Sequence, residues 1–164
     1  MVDTREAILQ RLNTILAAVP NVVSVWRDRG VLPPAKCPAI LLLDGDETRQ
    51  TRVESAITVV QMPPAVFTFR PEIAIVLPPR DTVQNLTLDG LPAPAGPALS
   101  AFRASILATV LNDQTLIGLC SPTGKIIYEG YRTDMQSGAE LGAQGPHMLF
   151  RFSISYVLDP QALP

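Results

Sequence analysis

The chain has 164 residues, 47% hydrophobic and 17% charged, with a formal net charge of −2. A chain of this length is expected to bury about 70% of its unfolded surface, enough for a single domain spanning 1–164 without disulfide staples. It carries no basic block, which argues against a nucleic-acid binder, and apolar runs such as Ala39 to Leu43 are far too short to cross a bilayer.

The start, MVDTREAILQ, lacks a basic-then-apolar leader pattern. Cys37 and Cys120 stand alone in the sequence, as expected of two reduced, partly buried thiols in the cytosol. Proline is abundant, 16 residues against an ordinary share of ~5%, and its pairs and runs divide the chain into elements.

The first element is a helix. Asp3 and Glu6 have capping-box spacing, Ile8, Leu12, Ile15, Leu16 and Val19 recur at helical period, and Pro20 ends the run. NVVSVWRDRG predicts a short strand, VLPPAKCP a loop, and AILLLDGDE a buried strand entering an acidic turn. Val53, Ile57 and Val59 predict a further strand. Phe67, Phe69, Ile73, Ile75 and Leu77 share one face of the next, with Pro71 inside it. Proline cannot donate to a ladder, so Pro71 marks an edge strand or a bulge. A continuous strand from Val66 to Leu77 would span about 40 Å, and a long edge ribbon of that kind tends to recruit other chains.

Residues 78–97 are a proline- and glycine-rich excursion holding at most a short strand at Leu86–Leu88. A second helix follows, with Pro97 suited to its first turn and Leu99, Phe102, Ile106 and Val110 as its stripe. NDQTLIGLCSPTGK is a linker with room for one more turn. KIIYEGYR is a strand, and a flexible hairpin loop at 134–146 joins it to the last strand. There Met148, Phe150, Phe152, Ile154, Tyr156 and Leu158 alternate with Arg151, Ser153 and Ser155. The expected fold class is α+β: an antiparallel or mixed sheet with two amphipathic helices packed on one face and long loops.

Candidate chemistry is sparse. His147 is the sole histidine, so neither a usual zinc set nor a supported Ser-His-Asp arrangement can be assembled. GLCSPTGK has five residues between its glycines and Ile126 after Lys125, where a phosphate loop needs four residues and a Ser or Thr. Asp44, Asp46 and Glu47 lack the later glycine and closing glutamate of a calcium loop and read as a solvated turn. The charges of WRDRG and TRQTR read as surface groups, although an arginine-rich strand edge also suits intersubunit ion pairs.

Several stretches together carry a resemblance: REAILQRLNTIL, VVSVWRDR and CPAILLLDGDE near the start, and YEGYRTDMQSGAELGAQGPHMLFRFSISYVLDP at the end. In order and texture these resemble the tail terminator proteins of long-tailed bacteriophages, the lambda minor tail protein U type. The resemblance implies a small subunit of helices and sheet, with no catalytic residue, cofactor or metal. It would close a ring, a hexamer in that family, on the head-proximal end of the tail tube and stop tube polymerisation. It would also offer the surface on which the head docks. Its expected partners are further copies of itself, the tail tube protein and a head-completion or neck protein. DNA would pass through the lumen unbound, and no membrane is involved. The expected location is the virion's tail–neck junction, with the host cytoplasm during assembly. On that reading the 134–146 loop is a contact surface, and the residues assigned to the subunit interface are Arg49, Arg52, Arg70, Asp134, Gln136, Ser137, Glu140 and Gln144. Two alternatives stay open: a neck, head-completion or tail-completion protein, and a small enzyme or ligand-binding domain using His147 or the Asp44–Glu47 turn.

Overall fold

The computed structural model of the chain describes residues 3–28, 32–50, 65–79, 95–121, 124–134 and 145–158. In chain order these form α1 (Thr4–Ala17), β1 (Ser24–Arg27), a short 3-10 turn (Pro34–Lys36), β2 (Ala39–Arg49) and β3 (Ala65–Val76). Then come α2 (Ala95–Asn112), α3 (Gln114–Cys120), β4 (Ile126–Asp134) and β5 (His147–Leu158). The strands make one sheet in the order β1-β2-β3-β5-β4, parallel between β1 and β2 and antiparallel elsewhere. The expected α+β class is found, with a mixed sheet.

Period alone explains most of the core. The stripe Ile8, Leu9, Leu12, Ile15 and Leu16 of α1 and the stripe Leu99, Phe102, Ile106 and Val110 of α2 lie on one face of the sheet. They meet Ile40 and Leu42 of β2, Phe69, Ile73 and Ile75 of β3, and Phe150, Phe152, Ile154 and Tyr156 of β5. A third helix shares that face, beyond the two expected. Although α3 has only seven residues, Asp113 caps it by accepting from the Leu116 amide at 2.7 Å, and Leu116 and Cys120 are buried. Arg11 of α1 fixes the cap with two hydrogen bonds to the Asp113 carboxylate, at 3.0 and 2.6 Å.

On the opposite face a smaller apolar cluster contains Leu32, Ala39, Leu41, Ala74, Val76 and Leu149, with Trp26 and Cys37 packed against it. The two cysteines thus sit on opposite sides of the sheet.

Four expectations are corrected. Glu6 does not complete a capping box: Asp3 accepts from the Arg5 amide, while the Glu6 carboxylate is taken by Arg27, 21 residues away. The acidic turn is no turn, because β2 runs through it to Arg49. The excursion at 78–97 ends early, since α2 begins at Ala95 and places Pro97 in its first turn. Nor is β3 an edge: it pairs with β2 and β5 along its length, so it offers no free ribbon to another chain.

The bulge alternative for Pro71 is the one found. Leu43 pairs with Glu72 and Asp46 with Arg70, leaving Asp44 and Gly45 opposite Pro71. The absent proline N–H therefore falls where the ladder is already interrupted. Gly45 has φ 66, and a Cβ there would collide with the Arg70 carbonyl.

The strand expected around Val53–Val59, the short one at Leu86–Leu88, most of 78–97 and residues 135–144 of the hairpin loop lie outside the described residues. The loop's ends belong to the sheet: Asp134 pairs with His147, and Leu77 donates to the Pro146 carbonyl at 2.9 Å.

Replacing Gly45 with Ala adds a Cβ to a left-handed residue pressed on backbone. It should cost at least about 2 kcal/mol, measured as a shift in urea midpoint at unchanged slope.

Candidate functional site

With the helices covering one face, three places carry the remaining chemistry: the rim where β1, β2 and α1 meet, the polar half of the opposite face, and His147. The bulge governs the first two. Before it, even-numbered residues of β2 face the helices; after it, odd-numbered ones do, because one extra residue shifts the side-chain phase. Asp44 and Glu47, three residues apart, therefore both reach the helix side, while Asp46 turns to the opposite face.

At the rim Arg27 is gripped by two carboxylates. Its Nε and Nη2 donate to Asp44 at 2.7 Å each, and Nη1 and Nη2 donate to Glu6 at 2.8 and 2.9 Å. Arg5 lies beside Asp44 and Glu47 at 3.7 and 4.0 Å, and the Tyr156 hydroxyl donates to Glu47. The Arg27 hydrogen bonds hold Glu6 and Asp44 below the usual carboxylate range, and the two acids raise the Arg27 pKa further. Asp28 is pushed the other way, chiefly by loss of hydration, with Asp44 adding to it. Burial, and then Glu47, keep the Tyr156 phenol protonated. This is a structural clamp joining α1 to the β1–β2 edge, in place of the solvated turn expected there.

On the opposite face, Gly45, Asp46, Arg70, Glu72, Glu129 and Arg151 line an open concavity of about 460 Å³. Arg151 Nε lies 2.8 Å from Glu72, and Arg70 Nε lies 3.7 Å from Glu129. Beside it the buried hydroxyls of Thr68 and Ser155 meet at 2.9 Å, with Gln50 donating to Thr68. Each glutamate already faces an arginine, and among the described residues no His, Cys, Ser or Lys lines the concavity. A surface alternating both signs suits another polypeptide better than a polyanion.

His147 begins β5 on the side of the smaller apolar cluster. It is 6% exposed, its Nδ1 has no hydrogen-bond partner, and its ladder neighbours are Val76 and Asp134. Burial pushes both thiols, Cys37 and Cys120, up to about 11, so they stay protonated at neutral pH. Among the described residues no three His, Cys, Asp or Glu side chains are placed to hold a metal ion.

Of the residues assigned to an interface, the three described, Arg49, Arg70 and Asp134, lie apart on the sheet. Arg70 lies in the concavity. Arg49 ends β2 opposite Phe67, which pairs with Tyr156 near one end of β5, whereas Asp134 pairs with His147 at the other end, roughly 30 Å away along the strand. Arg52, Gln136, Ser137, Glu140 and Gln144 lie outside the described residues. The sequence reading missed Glu129 as the partner of Arg70, and the Arg151–Glu72 pair beside it. Arg151 had shown itself as a polar position of an alternating strand, but strand order, which brings it to Glu72, carries no local signal.

No protein-family model matches the chain, and no curated protein matches it.

Arg27→Met removes both carboxylate forks. Because the three side chains remain 24–36% exposed, solvent screening limits the loss to about 1–2 kcal/mol. Glu6 and Asp44 have lowered folded pKa values. Their contribution is complete above the unfolded value near ~4 and drains away as pH falls through the folded values. Wild-type stability should thus drop steeply on acidification below about pH 4, and the variant's should change less, as urea unfolding across pH would show.

Proposed function

We propose that the chain is a structural subunit of a phage tail: a terminator that closes a ring on the head-proximal end of the tail tube. It is not a catalyst. The observation that carries the proposal is the arrangement of the two terminal regions that resemble the terminator family. The N-terminal helix with VVSVWRDR and CPAILLLDGDE supplies α1, β1 and β2, and the C-terminal stretch supplies β4 and β5. These regions build the two outer parts of one sheet around β3. The paired charges of the concavity support the same reading, since they offer polypeptide contacts without a nucleophile.

On this proposal six copies form the ring, the tail tube protein lies below and a neck or head-completion protein above. The protein resides at the tail–neck junction after assembly in the host cytoplasm. DNA crosses the lumen without being held. No helix among the described residues is long and apolar enough to cross a membrane.

The test is electron microscopy of particles made when this gene carries an early stop codon. Tails of abnormal, variable length beside unattached full heads are the expected result. Tails of normal length beside unjoined heads would instead assign the protein to the neck, and intact infectious particles would overturn both readings.

A conduit must let DNA slide, so a filter assay with the purified protein should retain negligible duplex DNA at ~150 mM salt. Salt-sensitive retention at that ionic strength would contradict the proposal.

A further inference from the structure

At the β4 edge of the sheet lies a cluster the rim and concavity do not use. β4 also contains a bulge: Tyr128 pairs with Phe152 and Gly130 with Arg151, with Glu129 inserted between them. The phase shift puts Tyr128 and Tyr131, three residues apart, on the helix side together. The guanidinium of Arg103, from α2, lies over both rings, 5.9 Å from the Tyr128 centroid and 5.1 Å from that of Tyr131. Among the described residues Arg103 faces no carboxylate. Its Nε and the Tyr128 hydroxyl are both buried without a hydrogen-bond partner, while Tyr131 is 52% exposed. Two buried donors without acceptors, carried by residues in contact, are costly unless something supplies the acceptor. Arginine and tyrosine are also the side chains that most often anchor protein interfaces.

The opposite edge of the same sheet has the complementary imbalance. Around the end of β1, four carboxylates (Glu6, Asp28, Asp44 and Glu47) share two arginines, Arg5 and Arg27. Asp28 is the least engaged of the four. Its side chain is 53% exposed, it lies 3.8 Å from Arg27, and it accepts the Asp44 amide at 3.2 Å beside the Asp44 carboxyl. Strand order separates the two edges by four strand spacings, roughly 19 Å. One copy therefore cannot join its own edges, but two copies can.

We propose that Arg103, seated on Tyr128 and Tyr131, is the socket for the acidic β1 edge of a second copy of this chain, with Asp28 as the incoming carboxylate. The carboxylate accepts from the guanidinium where it lies over the exposed Tyr131 ring. Joining unlike edges makes a head-to-tail contact, which generates a closed ring when the rotation between copies allows it. This seam rests on the ring reading given above and deepens it.

The test is complementation of the stop-codon strain with variants of the full chain, scored as the yield of normal-length tails. Arg103→Glu and Asp28→Lys should each lower that yield at least about tenfold, and the double reversal should recover most of it. Asp28→Asn should also lower the yield. It keeps an acceptor for the Asp44 amide and suits the left-handed backbone at φ 46, so it preserves the fold. Thermal melts of the purified variants establish that each one folds. Wild-type yield from Arg103→Glu or from Asp28→Asn, or a double reversal no better than its singles, would overturn the seam and leave the terminator reading standing. Normal tails from the stop codon alone would overturn both.

Discussion

The arrangement depends on one extra residue. Gly45 takes a left-handed turn opposite Pro71, and that bulge lets a proline occupy the central strand of a five-stranded sheet. Without it, Pro71 would leave an unanswered acceptor in the middle of the ladder. The side-chain phase of β2 would also run unbroken to Arg49. With it, Asp44 and Glu47 both face the helix side, where one holds Arg27 and the other takes the Tyr156 hydroxyl. The link between α1 and the sheet edge is thus a consequence of backbone geometry inside β2.

The same device recurs at the far edge. The bulge at Glu129 aligns Tyr128 and Tyr131 beneath Arg103, as the first aligns Asp44 and Glu47 beside Arg5. Between the two edges the opposite face holds its charges in pairs, Arg151 with Glu72 and Arg70 with Glu129. Among the described residues, most charges of the β1 rim and of the opposite face are held in ion pairs. That is the economy expected of a subunit whose work is recognition, and it accords with the structural role proposed for it.

What could be read from the sequence follows from range. The stripes of α1 and α2 and the alternation of β3 and β5 are local periodicities, and each placed its residues on the helix side as expected. α3 was nearly invisible because seven residues make too short a stripe, although Asp113 three positions before Leu116 was a usable cap signal. Glu6 misled for the opposite reason: a nearby partner was plausible in sequence, and a distant arginine with bidentate geometry won. A bulge at Pro71 was one of two alternatives its proline offered, but the phase shift it imposes on β2 and the bulge in β4 were not foreseen. Gly45 and Gly130, glycines inside strand-like runs, were the signal that could have flagged them. The interface assignment gathered polar residues from loops and strand ends, and strand pairing spread Arg49, Arg70 and Asp134 along the sheet.

The two bulges also bear on how this chain can vary in length. Most one-residue deletions in a strand slide a register and are resisted by every pair in the ladder. A deletion of Gly45 would instead remove the extra residue, leaving Asp44 opposite Pro71 and every residue from Asp46 to Arg49 with the partner and on the side it has now. Glu47 would stay beside Tyr156, and the cost would fall at Pro71, which has no N–H to give to a regular ladder. A one-residue loss at the bulge is therefore absorbed locally, whereas one elsewhere in β2 would slide the pairs beyond it.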